Sequence, residues 1–197
     1  MLSDVHAKIH DFLQGHSANA LPGNPATLPD AAYNKAGVVP FIRGEEWRFL
    51  LMKPVAKHAH LKPPAFQLCK GTRMQKLAQG WKDVRDGMTV SGELETLPTT
   101  ALREGIEELG LRLDAIQRLF DLGPYAFASA ISADTKHMWL FAAEMTDEDA
   151  LLHEREIALT THARSWMTLE EFNREGRDDH RAILHDIATR LAQNLKA

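Results

Sequence analysis

Residues 103–111 place three carboxylates on one stripe of a predicted helix. Glu104, Glu107 and Glu108 are spaced i, i+3 and i+4, so their side chains are neighbours. The opposite side carries apolar residues at helical spacing, which predicts a core-facing side: Leu102, Ile106 and Leu109. Like charges this close destabilise a helix by roughly 0.2–0.5 kcal/mol per pair, and a hard divalent cation such as Mg²⁺ would remove the repulsion. The spacing alone fits either a metal-binding helix or a solvated acidic face.

The order of residues in this segment is more specific than their spacing. The run Arg-Glu-Gly-Ile-Glu-Glu-Leu-Gly-Leu, from Arg103 to Leu111, resembles the second half of the Nudix box at every defined position. The resemblance covers roughly residues 35–175. It implies an α/β (α+β) fold, an α/β/α sandwich with a mixed sheet and the box helix packed on it. It also implies hydrolysis of a pyrophosphate bond with Mg²⁺ or Mn²⁺ as cofactor.

The first half of the box departs from the family pattern. Glu95 lies in the correct register before Arg103, but Thr89 stands where the family has glycine. In a second alignment, Gly87 and Glu93 have the right mutual spacing and are followed by two extra residues. The sequence favours the second alignment, because loops accept insertions at a small entropic cost. The roles of Glu93 and Glu95 stay open.

The resemblance also implies roles for individual residues. Glu107 and Glu108 are expected to be the principal metal ligands, and Glu104 a shared ligand or the general base. Arg103 is expected to orient these glutamates by charge-assisted hydrogen bonds. Gly71 resembles a loop glycine of the family whose backbone carbonyl can approach a metal.

Family members often recruit a further acid from outside the helix. The candidates in this chain, each of which also fits an ordinary surface acid, are Glu93, Glu144, Glu154 and Glu156.

Charge is distributed unevenly along the chain. From Lys53 to Asp86 there are six Lys and two Arg against two Asp, a net charge of +6, so the rest of a chain with net charge −4 carries −10. A basic segment before an acidic helix suits a polyphosphate substrate, with Lys70 and Arg73 as phosphate-binding candidates. The alternative for most of these cations is a solvated loop. The negative total argues against a general nucleic-acid binder.

Length and composition predict one main domain. A chain of 197 residues with 44% hydrophobic content can bury one core. We expect residues 1–34 to form a helix (4–14) and a Pro/Gly-rich arm, and residues 35–197 to form one Nudix-like domain with a basic insert at 72–92. A lone cysteine, Cys69, no evident signal peptide and no apolar run of about 20 residues predict a cytoplasmic protein that does not enter a membrane.

The hydrophobic pattern predicts the remaining elements. A hairpin is expected from 36–42 and 47–52, a short strand at 66–69, and further strands at 115–122, 125–131, 136–145 and 164–167. Helices are expected at 98–109, after the capping-box pattern at 168–171, and at 178–194. A short helix is also expected where one face would hold Met74, Leu77, Trp81 and Val84. The apolar stripe of the last helix fits packing on its own domain or a homodimer.

Three functions are compatible with the sequence. The leading interpretation is a metal-dependent hydrolase that acts on a small-molecule nucleoside diphosphate derivative. The second is a non-catalytic Nudix-fold sensor or interaction module. The third is a prenyl-diphosphate isomerase on the same fold, which would need a catalytic cysteine, and Cys69 is the one cysteine of the chain.

Overall fold

The structure is a computed structural model that describes residues 2–21, 33–54, 65–84, 90–128, 135–147 and 163–195. Across these residues the chain forms a mixed sheet in the order β1-β8-β9-β2-β3-β10, with β4 paired to β2. The strands are β1 (Asn19–Ala20), β2 (Lys35–Ile42), β3 (Arg48–Lys53), β4 (Gly71–Thr72), β8 (Ile116–Ala128), β9 (Thr135–Met145) and β10 (Ala163–Met167). Pairs β1/β8 and β2/β9 are parallel, and the others in this sheet are antiparallel.

Helices cover both faces of the sheet. On one face lie α1 (Leu2–Gly15) and α2 (Leu97–Glu104), and on the other lie α3 (Leu169–Glu175) and α4 (Asp178–Asn194). Successive residues of a strand point to opposite faces, so Val38 packs in the core under α1 and α2 while Val39 packs in the core under α3 and α4. The predicted α/β/α sandwich with a mixed sheet is confirmed. No helix within the described ranges is long and apolar enough to cross a membrane.

The acidic helix has two parts. Thr96 caps α2 by accepting a hydrogen bond from the Thr99 amide, and Pro98 occupies the first turn, where a missing N–H costs nothing. After Glu104 the chain continues as a π-helical turn, Gly105–Leu109, and ends at Gly110 in the left-handed region with φ 67°. Such π turns often lie at functional sites. The predicted helix is confirmed to within one residue at each end.

The predicted helix of residues 74–84 is wrong. This segment forms an antiparallel hairpin of β5 (Met74–Leu77) and β6 (Gly80–Asp83), and β7 (Glu93–Leu94) pairs with the other edge of β5. Gly80 has φ 114°, a conformation that L side chains rarely adopt, and this lets the chain reverse. Spacings of three and four residues suit a helix face, but the segment reverses at Gly80 and pairs as strands, with Gln75 buried on β5.

Two predicted strands also differ from the structure. The break expected at Gly123 and Pro124 is a bulge within the continuous strand β8, between Asp121 and Gly123. Residues 66–69 make only isolated bridges, Met52 to Gln67 and Phe66 to Gly176. The hairpin of β2 and β3, strand β10, the capping box of α3 and the bounds of α4 are as predicted.

The amino-terminal segment packs on the domain. Helix α1 lies against α2 with Ile9 fully buried, and Leu21 donates a hydrogen bond to the Asp121 carbonyl at 3.0 Å. The predicted arm of residues 15–34 lies partly outside the described residues, as does the basic insert. The division into residues 1–34 and 35–197 stays a prediction.

Candidate active site

Arg103 is the centre of the acidic site. It is 3% exposed, and its Nη1 donates to Glu104 Oε1 at 2.7 Å and to Glu107 Oε2 at 2.8 Å. Its Nε donates to Glu95 Oε1 at 2.8 Å, and its Nη2 donates to the Thr72 carbonyl at 2.8 Å. A guanidinium presents its donors in a fixed plane and is always charged. Arg103 therefore fixes these acidic side chains relative to one another.

Glu95 is a buried carboxylate that binds the guanidinium of Arg103. Its side chain is 0% exposed, and it accepts hydrogen bonds from the Met74 amide at 2.8 Å, from Thr100 Oγ1 at 3.0 Å and from His6 Nε2 at 2.6 Å as well as from Arg103. Burial alone would raise the pKa of Glu95, but the hydrogen bonds and the charge of Arg103 outweigh it and hold that pKa below its usual range. Glu95 is therefore a buried carboxylate at neutral pH.

This contact corrects the preferred alignment of the first half of the box. Glu93 lies exposed on β7, two residues away from the carboxylate that Arg103 binds. The geometry favours the alignment in which Glu95 is the first glutamate of the box. Gly87 lies outside the described residues.

Glu104 and Gly71 approach each other closely. A Cβ atom placed on Gly71 would lie 1.8 Å from Glu104 Cδ, so only glycine permits this contact. Glu104 is 9% exposed. Burial raises the pKa of Glu104 most, the charges of Glu108 and Glu107 add to the rise, and Arg103 opposes it, giving a pKa of about 7. Glu104 can therefore exchange a proton near neutral pH.

Glu107 and Glu108 are half-buried on the π turn. Glu108 accepts a hydrogen bond from the thiol of Cys69, which is 1% exposed. Burial, the charges of Glu108 and Glu104, and this hydrogen bond raise the pKa of Cys69 well above its usual value. The thiol is therefore neutral and a poor nucleophile, because the thiolate is the reactive form.

The acidic cluster suits a hard divalent cation by its donors. Carboxylate and carbonyl oxygens are the ligands that Mg²⁺ prefers, and a bound cation would oppose both burial and the charges of Glu108 and Glu107, which together raise the pKa of Glu104. Within the part of the chain that the structure describes, no group of three or more His, Cys, Asp or Glu side chains is gathered closely enough to count as a formed metal site. Arg103 contacts one oxygen of Glu104 and one of Glu107, so the second oxygen of each carboxylate is not used by this guanidinium.

Lys70 lies beside the acidic cluster. Burial lowers the pKa of Lys70 most, Arg177 and Lys35 lower it further, and Glu108 opposes them, which leaves a pKa of about 8. Its Nζ lies 5.3 Å from the ring centroid of Phe127, within cation–π distance. A cation is thus held next to the carboxylates, as a phosphate ligand would need to be.

Arg73 does not fit the predicted substrate-binding role. It is 3% exposed, its Nε donates to the Glu95 carbonyl at 2.9 Å, and its Nη1 donates to the Tyr33 carbonyl at 3.1 Å. A guanidinium buried against backbone carbonyls holds β4, β7 and the start of β2 together. The predicted substrate-binding role of Arg73 is wrong, because its donors bind backbone carbonyls of the fold.

Of the candidates for a further acid, Glu144 is not brought to the site. Glu144 is buried at the opposite end of β2, where its Oε1 accepts from Arg43 at 2.6 Å and its Oε2 accepts from Arg118 at 2.5 Å. These two cations outweigh burial and hold the pKa of Glu144 low. Glu154 and Glu156 lie outside the described residues.

Two residues of the network could not be identified from the sequence. His6 on α1 contacts Glu95, and Trp81 on β6 stacks on His6 with ring centroids 4.0 Å apart. His6 lies 89 positions before Glu95, and the sequence pattern places Trp81 on a helix that does not form. Neither side chain has a local pattern that indicates its partner.

Comparison with known proteins identifies the fold. No protein-family model and no curated protein matches the sequence. Among solved structures, the Nudix domain of Shewanella oneidensis NrtR complexed with ADP-ribose matches with a TM-score of 0.54 and 15% identity, over 86% of this chain and 94% of that chain. NrtR complexed with a 27mer DNA matches with a TM-score of 0.54 and 15% identity, over 81% of this chain but only 62% of that chain.

A further match comes from an enzyme of another organism. A binary complex of the C. elegans Ap4A hydrolase gives a TM-score of 0.50 and 18% identity, over 81% of this chain and 98% of that chain. Identities this low establish the fold and leave the activity to be argued from the site. The resemblance expected from residues 103–111 is thus confirmed in three dimensions, and the chain has the fold of the Nudix hydrolases.

Proposed function

We propose that this protein is a metal-dependent hydrolase that cleaves the pyrophosphate bond of a nucleoside diphosphate linked to another group. The observation that carries the proposal is the contact of Arg103 with both Glu104 and Glu107, together with the close approach of Glu104 to Gly71. This assembly combines oxygen donors, a fixed guanidinium and a glutamate that titrates near neutral pH. Solved structures of the same fold include one with ADP-ribose and one of an Ap4A hydrolase.

The metal would be held by Glu107, Glu108 and the Gly71 carbonyl, with Glu104 as a shared ligand or as the base. Mg²⁺ or Mn²⁺, when bound, would neutralise phosphate charge and lower the pKa of a water molecule. Arg103 would share Glu104 and Glu107 with the cation, which each carboxylate permits through its second oxygen.

The residues of the chain supply the remaining chemistry. Water oxygen forms a bond to one phosphorus, the bond from that phosphorus to the bridging oxygen breaks, and two phosphate products leave. Glu104, whose pKa is about 7, takes the proton that water releases. Lys70 offers a positive charge to the phosphate oxygens, beside carboxylates that would otherwise repel them.

A panel experiment tests the reaction class. Nucleoside diphosphate derivatives, including ADP-ribose and dinucleoside polyphosphates, are incubated with the full chain and Mg²⁺ or Mn²⁺, with EDTA as control, and the products are separated by chromatography. We expect one class to be hydrolysed to a nucleoside monophosphate and a second phosphorylated product, and EDTA to abolish turnover. If the folded protein hydrolyses no compound of the panel, that result would contradict the proposal.

Glu107→Gln tests the site itself. The amide keeps the size of the side chain and an acceptor for Arg103 but removes the ligand charge, so we expect metal-dependent turnover to fall by roughly 100-fold or more. Glu170→Gln, an exposed residue of α3, is the matched control and should keep full activity. Full turnover of Glu107→Gln at limiting Mg²⁺ would show that the metal site lies elsewhere.

A ligand-sensing module is the second candidate. It is supported by the similarity of the fold to NrtR, which has been solved in complex with ADP-ribose and with a 27mer DNA. A sensor would bind ADP-ribose or a related nucleotide in calorimetry with or without Mg²⁺ and would release no product. Binding with metal-dependent turnover would exclude this candidate.

A further inference from the structure

We propose that His6 on α1 and Trp81 on β6 are positioning residues of the site, which hold Glu95 and, through it, the guanidinium of Arg103. The effect that this proposal predicts on turnover rests on the proposed function, whereas the effect that it predicts on the Arg103 side chain does not. Neither residue belongs to the segment from Arg103 to Leu111 that carries the resemblance. Both reach the site from elements on its periphery, the amino-terminal helix and the hairpin of β5 and β6.

The hydrogen bonds of His6 define how it acts. Its Nδ1 lies 2.8 Å from the Leu2 carbonyl oxygen, and its Nε2 lies 2.6 Å from Glu95 Oε1. A carboxylate oxygen of Glu95 accepts, so Nε2 of His6 is the donor in this contact. Glu95 Oε1 is thus shared between two donors, His6 Nε2 and Arg103 Nε.

Trp81 holds the imidazole ring in place. The ring centroids are 4.0 Å apart and the rings lie within 2° of parallel, a stacked arrangement that restricts the orientation of the imidazole. Trp81 pairs with Lys76 in the hairpin, and the same hairpin donates the Met74 amide to Glu95 Oε2 at 2.8 Å. The hairpin therefore supports Glu95 both directly and through His6.

His6 also separates Glu95 from water. The side chain of His6 is 11% exposed, whereas that of Glu95 is 0% exposed. A buried charge pair interacts more strongly than a solvated one, so loss of the imidazole would admit water and weaken the bond from Glu95 to Arg103.

Arg103 has competing acceptors, which makes its orientation sensitive to this support. Its Nη1 already donates to Glu104 and Glu107, and only Nε and Nη2 are anchored by Glu95 and by the Thr72 carbonyl. If Glu95 moves, the guanidinium can turn toward the other carboxylates. The arrangement of Glu104 and Glu107 would then change, although neither residue is itself substituted.

The experiment compares single substitutions in the full chain. His6→Ala removes both the hydrogen bond and the stacked ring, His6→Gln keeps an amide donor for Glu95, and Trp81→Phe keeps an aromatic face. His10→Ala is the matched control, because His10 is exposed one turn further along the same helix. The first readout is the NMR resonance of the Arg103 Nε–H group together with the Trp81 indole N–H, and the second is kcat and KM for the substrate found in the panel.

We expect His6→Ala to shift or broaden both resonances and to lower kcat by roughly tenfold, the lower end of what partners behind a ligand contribute. KM for the nucleotide should stay within a factor of about two of its original value by this argument, since no substrate contact is lost. His6→Gln should restore the Arg103 resonance and part of kcat, and His10→Ala should match the unmodified protein.

Two results would overturn the proposal. One is an unchanged Arg103 resonance in His6→Ala, and the other is a loss of kcat that His10→Ala reproduces. If His6→Ala does not fold, His6→Phe decides, because it keeps a ring for Trp81 to stack on but has no donor for Glu95, and an unchanged Arg103 resonance in that variant contradicts the positioning role. If the unmodified protein hydrolyses nothing, the proposed function fails while the NMR comparison still tests the contact.

Discussion

Gly71 shows how much the site depends on one missing methyl group. A Cβ atom at this residue would lie within 2.2 Å of all three atoms of the Glu104 carboxyl group. We expect Gly71→Ala to push this side chain away and to reduce turnover by at least about tenfold, because misplacing a catalytic group by about 1 Å is already costly. Kinetics of Gly71→Ala beside Gly15→Ala, at an open position in α1, measures this. Equal activity of the two variants would contradict the expected contact.

Glu104 gives the metal-free protein a pH dependence. Its pKa is about 7 in the folded protein against 4.5 ordinarily, so between these values the folded state holds a proton that the unfolded chain has released. This group therefore makes the folded state progressively less stable as pH rises from 4.5 to 7, by up to about 3 kcal/mol. Glu104→Gln should gain stability over the unmodified protein across that window.

Denaturant unfolding in EDTA at several pH values provides the measurement. The difference in free energy of unfolding between Glu104→Gln and the unmodified protein should grow from pH 4.5 to about 7 and then level off. Glu170→Gln, exposed on α3, should give a difference that stays constant with pH. A flat difference for Glu104→Gln would mean that its pKa is not raised.

The residues of the site differ in how visible they are in the sequence. Glu104, Glu107 and Glu108 can be found because their relation is local, set by helical spacing. The support of Glu95 by His6 cannot, because the two lie 89 positions apart. Arg73 is misassigned for a related reason: composition shows a cation in a basic segment, but only the fold shows that backbone carbonyls surround it.

Among the elements, α3 has a start that the sequence specifies fully. Thr168 Oγ1 accepts from the Glu171 amide at 3.2 Å, and Glu171 Oε2 accepts from the Thr168 amide at 2.8 Å. We expect Thr168→Ala to lower the free energy of unfolding by about 1 kcal/mol. Thermal or urea unfolding measures this, with Thr189→Ala on the exposed side of α4 as the control. A cost no greater than that of the control would show that the cap contributes nothing.

Elements with strong local signals are predicted well, and elements defined by pairing are not. The side-chain caps of α2 and α3 and the apolar stripe of α4 lie within each helix, so the bounds of these helices follow from the sequence. The hairpin of β5 and β6 depends on a turn at Gly80 and on pairing of β5 with β7 across residues 85–89, which the structure does not describe. Apolar residues at spacings of three and four misled the prediction there.

For the whole molecule, metal binding should appear as stability. A ligand that binds only the folded state adds RT ln(1 + [L]/Kd), about 2.7 kcal/mol at about one hundred times Kd. We expect Mg²⁺ or Mn²⁺ to raise the Tm at about pH 8, where Glu104 is ionised, and EDTA to reverse the rise. Glu107→Gln should lose this response while Glu170→Gln keeps it. A Tm that responds equally in both variants would indicate a cation site away from Glu107.

Strand β8 supplies side chains to the cores on both faces of the sheet. Ile116 and Leu119 pack under α1 and α2, whereas Phe120, Leu122, Tyr125 and Phe127 pack under α3 and α4. In each of these two groups, one pair of consecutive members is separated by three residues instead of the usual two. Each longer separation coincides with an irregularity in the pairing of β8 with β9, at 116–118 and at 121–123. Asp121 Oδ1 accepts from the Gly123 amide at 2.9 Å and from Trp139 Nε1 at 2.6 Å, which fixes the second bulge.

The alternation of buried side chains along β8 therefore shifts by one residue at each of the two irregularities. A deletion that removes the extra residue of the bulge near Gly123 would restore simple alternation and leave Tyr125 and Phe127 on the same face as Phe120 and Leu122. A deletion elsewhere in the strand that keeps the bulge would instead move the residues beyond it to the opposite face of the sheet. An alignment of this chain with its structural relatives should therefore place any one-residue gap within β8 at one of these two irregularities.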